Sequence, residues 1–554
     1  MKPTTLCSVL GLALSAAALS PLKAAACGGF FCNASQPVNQ QAERIIFARE
    51  PDGSVTAVIQ IQYQGPSEKF AWMLPVEGDP EIGVSSDAAF TRLQNATNPS
   101  YVLNTRTEGT CRDEREGLFG GGFAANDSAG SSAFRGKEEG GGVTVLSQGS
   151  VGPYDHITIA LDPNEPDLAN VAIDWLQENG YDVPDMGADV LRPYLEAGMN
   201  LLAFRLTKGS NAGTIRPVRL TFGEGLPAIP LRPTAVAAEP DMGILVWVLG
   251  EHRAVPANYR SLELNDALID WFTPGLTYDA VVTLAANEAK GQGFVTEHAG
   301  DARVLGEQLW QSWEAEQWSK LRAASWQGRE RELLDNLSFL GQLDGIDDVL
   351  EKHLDLPTPV GESFLNCPSC YDVDVSTLDA DALLADVQRE VIDPMVETKE
   401  LFMNTKTSTR LYTTMSADEM TVDPLFDFNP DLPAFSNLHQ ADRIIECSRR
   451  VDRADAPWRV ELESGEVVRG KGNNWPFTPG DEGLPANAIV RRVGNQGEGE
   501  VVTDNVSKIR QALSAHNKTI PGPGGCALSN ADQSSNLTVW AGLGLLLALR
   551  RRRR

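Results

Sequence analysis

The chain has 554 residues and a formal net charge of −28 at neutral pH, with 42% apolar and 22% charged residues. Eleven Trp and nineteen Phe exclude wholesale disorder, because such residues are scarce in segments that cannot build a core. The acidic balance argues against nucleic acid as a partner, since a negative surface repels the phosphate backbone. The length predicts about two to four domains of ordinary size.

Residues 1–26 have the pattern of a secretory signal peptide. Lys2 gives a charged start, "LCSVLGLALSAAAL" follows as the apolar centre, and the alanines at 24–26 give a small-residue cleavage site between Ala26 and Cys27. A lipoprotein signal also places a cysteine after small residues, but it prefers Leu or a similar residue where this chain has Ala24. Ordinary cleavage is therefore the prediction, and lipid attachment at Cys27 is the alternative.

Six cysteines remain once Cys7 in the signal and Cys526 near the end are set aside; they are Cys27, Cys32, Cys111, Cys367, Cys370 and Cys447. In an exported chain this even number predicts three disulfides, and fifteen pairings are open. Cys367 and Cys370 form a Cys-x-x-Cys in a Pro- and Asp-rich loop. That setting favours a structural disulfide over thiol exchange, and a zinc site would need a second such pair.

Residues 27–299 are predicted to form a β-rich domain. In "SVTAVIQIQYQG" apolar and polar residues alternate, which predicts a strand with one buried face, and "FAWMLPV" after the turn "GPSE" predicts the second strand of a hairpin. "GILVWVLG" is apolar on both faces and predicts a central strand. "PDLANVAIDWLQENG" predicts a helix that stops at Gly180. The Gly- and Ser-rich segment 112–142 predicts a mobile loop.

The period of the apolar residues changes near residue 300. Leu305, Leu309 and Trp313 step by four, so 300–355 is predicted to be a helical block, and its tryptophans are expected to lie in the core. Residues 356–520 combine Pro-punctuated loops with short strands. The predicted fold class is therefore α+β, with a large β-rich portion of antiparallel or mixed sheet, the helical block at 300–355 and a loop-rich C-terminal portion.

A search for reactive patterns gives no catalytic motif, so an enzymatic role is uncertain and disfavoured. The six histidines are scattered without metal-ligand spacing, and Gly-x-Ser-x-Gly does not occur. "GEVVRGK" resembles a phosphate loop, but Gly472 stands where Ser or Thr is required. The acidic runs 162–167, 372–381 and 423–431 lack the spacing of an EF-hand loop, so we predict no cofactor and keep calcium as a hypothesis only.

Most of the chain resembles a known bacterial family. The phrases "CGGFFC", "AERIIFARE", "IQYQGPSEKFAWMLPV", "DMGILVWVLGEHRAVPANY" and "GQGFVTEHAG" are similar to domain-of-unknown-function family 2330 (DUF2330), over roughly Cys27 to Cys447. The family has no assigned activity. The resemblance implies an exported protein that begins at Cys27, with Cys32 close behind.

The C-terminal end resembles the MYXO-CTERM sorting signal. Residues 521–536 read as an exposed linker that contains "GGC", and 537–554 combine a short apolar segment with Arg550–Arg554. The resemblance implies that Cys526 is the processing and attachment point. Thirteen apolar residues give a helix of about 20 Å, short of a hydrocarbon core of about 30 Å, so transient retention is expected; a permanent anchor is the alternative.

These observations predict an exported, cell-surface-anchored protein of the cell envelope, associated with the membrane through its tail and serving a structural or binding role. Its expected partner is an unknown extracellular ligand or protein. The alternative is a secreted hydrolase whose catalytic residues, His252 among the candidates, meet only in the fold. A thiol oxidoreductase using Cys367 and Cys370 is a third hypothesis.

Overall fold

The structure is a computed structural model that describes residues 40–60, 71–112, 143–181, 187–207, 215–236, 238–356, 364–481, 483–520 and 522. Several predicted features lie outside these residues: the signal peptide with its cleavage site, Cys27, Cys32, the loop 112–142 except Arg112, the linker 521–536 except Gly522, and the tail 537–554 with its apolar segment.

The described residues form twenty strands and twelve helices. The strands are β1 Gln40–Arg49, β2 Ser54–Gln60, β3 Ala71–Val76, β4 Glu81–Val84, β5 Ser100–Glu108, β6 Val143–Val151, β7 Tyr154–Leu161, β8 Asn200–Leu206, β9 Val218–Glu224, β10 Ala238–Gly250, β11 Arg253–Pro256, β12 Arg260–Leu264, β13 Gly293–Asp301, β14 Thr407–Met415, β15 Phe426–Asn429, β16 Leu438–Glu446, β17 Pro457–Leu462, β18 Val467–Lys471, β19 Asn487–Arg492 and β20 Glu500–Asp504. The helices are α1 Asp87–Thr97, α2 Leu168–Glu178, α3 Gly187–Glu196, α4 Leu231–Thr234, α5 Tyr278–Glu288, α6 Ala302–Leu309, α7 Ser312–Ala323, α8 Glu330–Asn336, α9 Ile346–His353, α10 Ala380–Val387, α11 Asp393–Met403 and α12 Val506–Asn517.

A ten-stranded mixed sheet forms the centre of the molecule, in the order β20-β19-β12-β13-β14-β10-β1-β2-β9-β4. Its pairs are antiparallel except β1 with β10 and β12 with β13. The predicted central strand is β10, and it lies between β14 and β1 with Trp247 and Val248 fully buried on opposite faces. The α+β class is confirmed.

Each face of this sheet is covered by a different layer. Helices α1 and α6–α11 pack on the face that carries Ile46, Leu245 and Trp247. On the other face Phe47 and Val246 pack against the four-stranded sheet β3-β8-β7-β6, whose outer side is covered by α2 and α3. Alternation along each strand therefore directs apolar side chains into two separate cores.

A third sheet, β18-β17-β16-β5, packs with α5 and α12 near the β12 end of the central sheet. Within it β5 and β16 run parallel, although more than three hundred residues separate them in the chain. A disulfide joins Cys111 to Cys447 directly beyond the ends of these two strands, with their Cα atoms 4.7 Å apart. This bridge covalently closes the pairing between two distant parts of the sequence.

The predicted hairpin is wrong. Strand β2 pairs with β1 and β9, whereas β3 pairs with β8 in the other sheet. The expectation of one buried face on β2 also fails, since Val55 to Ile59 are all buried. Both differences have one cause: β2 is an inner strand that lies between two layers, and such strands bury both faces.

The helical region is more extensive than the sequence indicated. Trp310, Trp318 and Trp326 are buried, as expected, but Trp313 is 49% exposed. The step-by-four pattern breaks because α6 ends at Leu309 and α7 begins at Ser312, which rotates Trp313 away from the core. Helices α10 and α11, which the sequence analysis did not predict, complete the same layer. Within the described residues, no helix has the length and apolarity to cross a bilayer.

Candidate functional site

A cleft of about 600 Å³ opens on the helix-covered face of the ten-stranded sheet. Its floor is formed by side chains of β1, β10, β14 and β13, among them Arg44, Leu245, Arg410 and Glu297. The end of α1 forms one wall, and the start of α5 forms the other. The volume is in the range of small-ligand sites, so we describe this cleft as the candidate site.

A β-bulge brings the two central charges of the cleft together. In the pairing of β13 with β14, Thr296 lies opposite Leu411 and His298 opposite Arg410, so Glu297 is the extra residue. Bulges re-aim side chains in this way and are frequent beside functional sites. Here the carboxylate of Glu297 accepts a hydrogen bond from Arg410 Nε at 2.5 Å, and both side chains are at most 5% exposed.

The Arg410–Glu297 ion pair is held by further hydrogen bonds. Tyr278 donates its hydroxyl proton to Glu297 Oε1 at 2.5 Å, and Arg410 Nη1 donates to Thr97 Oγ1 at 3.0 Å. The guanidinium of Arg410 also lies over the ring of Trp247, 5.5 Å from its centroid. Burial raises the pKa of Glu297, and the charge of Arg410 opposes that rise. These contacts hold both side chains of the ion pair in fixed positions at the centre of the cleft.

Four charged residues of the cleft have no ion-pair partner among the described residues: Glu43, Asp241, Arg44 and Asp279. Arg44 is half-buried on the floor and donates from Nη1 to Gln60 Oε1 at 3.0 Å. Burial lowers the pKa of Arg44, the charge of Asp87 opposes that change, and nearby Arg410 lowers the pKa further. Asp279, in the first turn of α5, lines the opposite wall, where partial burial raises the pKa of its carboxyl group.

Three tyrosines supply neutral hydroxyl groups to the cleft. Tyr101, Tyr278 and Tyr412 are half-buried, and burial raises the pKa of each phenol far above its ordinary value. Tyr101 is fixed by stacking on His439, with ring centroids 4.7 Å apart, and by an edge contact with Trp271. A buried Tyr combines apolar ring surface with a hydrogen-bonding tip, which suits ligand contact.

The predicted cysteines lie away from this cleft. Cys367 and Cys370 are joined by a disulfide across the short 3₁₀ turn Pro368–Cys370, and the other described pair is Cys111–Cys447. The turn at Cys367 follows a loop, and no strand of the described residues leads into it as in a redox site.

The structure places the histidines in separate surroundings. His353 Nε2 lies 2.9 Å from Asp386 Oδ2, and His516 Nε2 lies 2.8 Å from the carbonyl oxygen of Arg469. His252 is an exposed residue at the edge of a 450 Å³ pocket. Within the described part of the chain, no hydroxyl or thiol group is hydrogen-bonded to a histidine ring.

The three acidic runs have structural roles. Asp167 and Asp379 cap the N-termini of α2 and α10, and Asp423 accepts hydrogen bonds from Tyr194 Oη and Leu231 N, both at 2.9 Å. No group of three or more His, Cys, Asp or Glu side chains in the described segments is placed to hold a metal ion. "GEVVRGK" forms a turn and strand β18, followed by another turn.

Sequence reasoning missed the residues of the cleft. Each is a charged side chain within a strand that is largely apolar or rich in Thr: Arg44, next to Glu43, in "AERIIF", Glu297 in "GFVTEHAG" and Arg410 in "STRLYT". A charge inside a buried strand is a usable signal, because it must find a partner or a ligand. Two of these stretches are also phrases of the family resemblance.

One family model matches the chain; it is described as an uncharacterized protein conserved in bacteria (DUF2330) and covers residues 21–307. The match is shorter than the resemblance noted above, but it contains all five phrases. It includes Arg44, Asp279 and Glu297, whereas Arg410 and Tyr412 come from the following part of the chain. No curated protein and no solved structure matches.

Proposed function

The chain belongs to the DUF2330 family of uncharacterized bacterial proteins, and from that premise we propose that it is an exported, surface-anchored binding protein of the cell envelope whose ligand site is the cleft. The observation that carries the binding role is the fixed centre of the cleft. Arg410, Glu297 and Tyr278 are committed to one another, and they lie between walls that offer hydroxyl groups and unpaired charges. Such convergent polar groups orient a ligand.

Features at both ends of the sequence support the proposed export to the cell surface. Residues 1–26 have the pattern of a signal peptide, and the Cys111–Cys447 disulfide suits an oxidising compartment. The tail resembles the MYXO-CTERM sorting signal, with Cys526 as the processing and attachment point. Arg550–Arg554 would stay on the cytoplasmic side, so the body would remain outside while the tail is removed.

Intact mass and C-terminal peptide mapping of the protein from its native envelope test the address. We expect a chain that ends at a modified Cys526 and is accessible to a membrane-impermeant label on whole cells. A chain that still ends at Arg554, or one that is labelled only after lysis, would contradict sorting to the surface.

A thermal-shift screen of amino acids, peptides and glycans tests the binding role. We expect one ligand class to raise the melting temperature of the wild-type chain but not that of Tyr412→Ala, which removes a hydroxyl and a ring from the cleft floor. An exposed substitution, Trp313→Ala, is the control. Equal shifts in all three proteins would place the binding site elsewhere.

A further inference from the structure

Arg44 and Asp279 line one cleft with opposite charges, and neither forms an ion pair within the described residues. We infer that it binds a zwitterionic amino-carboxylate, an amino acid or short peptide, with the carboxylate on Arg44 and the ammonium group on Asp279. This inference rests on the proposed binding function and specifies the ligand. It follows from the placement of the charges around one 600 Å³ cleft.

Arg44 defines the anion end of the cleft. Its guanidinium is half-buried, and its one hydrogen bond to a described residue is to the neutral amide oxygen of Gln60 at 3.0 Å. Asp87 interacts electrostatically with Arg44 but is hydrogen-bonded to Gln60 Nε2 at 2.6 Å, and no ion pair joins it to the guanidinium. A partly desolvated cation without a counter-charge in direct contact is unfavourable. A ligand carboxylate would supply that charge, and the planar guanidinium has donors left for a two-point contact.

Asp279 defines the cation end. No ion pair or hydrogen bond to another described residue engages its carboxylate, which lines the wall beside Tyr278 and Thr283. The Thr283 hydroxyl is engaged with Thr414 at 3.1 Å. Two other acids line the cleft outside the ion pair. Asp241 is hydrogen-bonded to Ser416 Oγ at 3.4 Å, and Glu43 is buried, which raises its pKa to about 7 and favours its neutral form. Asp279 is therefore the carboxylate that remains for an ammonium group.

The Arg410–Glu297 pair lies between the two ends. Arg410 interacts electrostatically with both Arg44 and Asp279, and Glu297 compensates its charge within the pair. A purely anionic ligand would meet the carboxylate of Asp279, and a purely cationic one would meet Arg44. Only a ligand with both charges matches both ends, because like charges brought together oppose binding.

Calorimetric titration of the full chain with matched dipeptides tests the inference. Alanyl-alanine carries both charges, N-acetyl-alanyl-alanine keeps only the carboxylate, and alanyl-alaninamide keeps only the ammonium group. We expect alanyl-alanine to bind at least about tenfold more tightly than either blocked form. Equal affinities for the three, or no binding of alanyl-alanine at about 10 mM, would overturn the inference.

Two variants, each of which removes one charge, test which residue binds which charged group of the ligand. Arg44→Gln should weaken alanyl-alanine to the affinity of the amide form, and Asp279→Asn should weaken it to that of the acetylated form. Arg49→Gln and Asp335→Asn, exposed positions with the same charge changes, serve as controls and should bind like wild type. Circular dichroism verifies that each variant is folded. Unchanged binding in Arg44→Gln or Asp279→Asn would overturn the assignment.

A neutral disaccharide, cellobiose, separates this inference from the function on which it rests. Binding of cellobiose without binding of alanyl-alanine would refute the zwitterion and leave a binding role intact. Conversely, tight alanyl-alanine binding by a chain that the membrane-impermeant label reaches only after lysis would refute the proposed location at the cell surface. The inference of a zwitterionic ligand would then still hold.

Discussion

Replacing Glu43 by Gln should stabilise the protein at alkaline pH and leave it nearly unchanged at acidic pH. Glu43 is 9% exposed, and its Oε2 has no hydrogen-bond partner among the described residues. Burial, with the nearby charge of Asp423, raises the pKa of Glu43 from 4.5 to about 7. The folded state therefore holds a proton between these two values that the unfolded state releases, and stability falls as pH rises through that interval.

The magnitude follows from the shift. At about 1.36 kcal/mol for each pKa unit, ionising Glu43 costs the folded state about 3 kcal/mol above pH 7 and almost nothing below pH 4.5. Gln is neutral throughout, so Glu43→Gln should be more stable than wild type by up to about that amount at pH 8. Comparing the variant with wild type at each pH removes the contributions of other buried acids, such as Asp87.

Urea unfolding followed by tryptophan fluorescence at pH 4.5, 6 and 8 measures the effect. Glu77→Gln, at an exposed position, is the matched control and should differ from wild type by less than about 0.5 kcal/mol at every pH. A Glu43→Gln variant that is destabilised at pH 8, or whose difference from wild type is the same at pH 4.5 and pH 8, would refute the reasoning.

Three further predictions test the cleft and the disulfides by urea unfolding. Arg410→Met should lower the free energy of unfolding by about 3–5 kcal/mol, because it leaves the buried Glu297 carboxylate without its cation. The double variant Arg410→Met, Glu297→Leu should recover most of that stability. A double variant as unstable as Arg410→Met would contradict this. Tyr278→Phe removes the hydroxyl that donates to Glu297 and should lower the free energy of unfolding by about 1–3 kcal/mol. An unchanged free energy of unfolding would mean that this hydrogen bond does not contribute to stability. Replacing both Cys111 and Cys447 by Ala should lower the free energy of unfolding by up to about 5 kcal/mol. Replacing both Cys367 and Cys370 should lower it by about 2 kcal/mol, because that bridge closes a far shorter loop. Equal losses would argue against the loop-entropy account.

The fold shows which sequence patterns carry information about the pairing of strands and which do not. Apolar residues on both faces of β10 predicted a central strand correctly, because only an inner strand needs two buried faces. Alternation in β2 predicted a strand but not its neighbours, since β9 lies about 160 residues further along the chain. A local pattern specifies which way side chains point, and the pairing depends on distant residues.

The candidate site was less predictable for the same reason. Arg44 and Glu297 were not predicted as site residues, and Glu297 reaches Arg410 only because β13 is bulged at that position. The register that creates the bulge comes from β14, more than a hundred residues later. The sequence therefore contains these charged residues without any local indication that they meet.

The position of β14 also has a consequence for the order of events in folding. Strands β10 and β13 are made early in synthesis, yet β14, from 407–415, lies between them and pairs with both. A chain that is made from its N-terminus would display both strand edges while the next hundred residues are still being added. Unpaired edges of this kind recruit other chains. Folding would therefore depend on a chaperone that covers these edges, or on delivery of β14 that is fast relative to aggregation, during that interval.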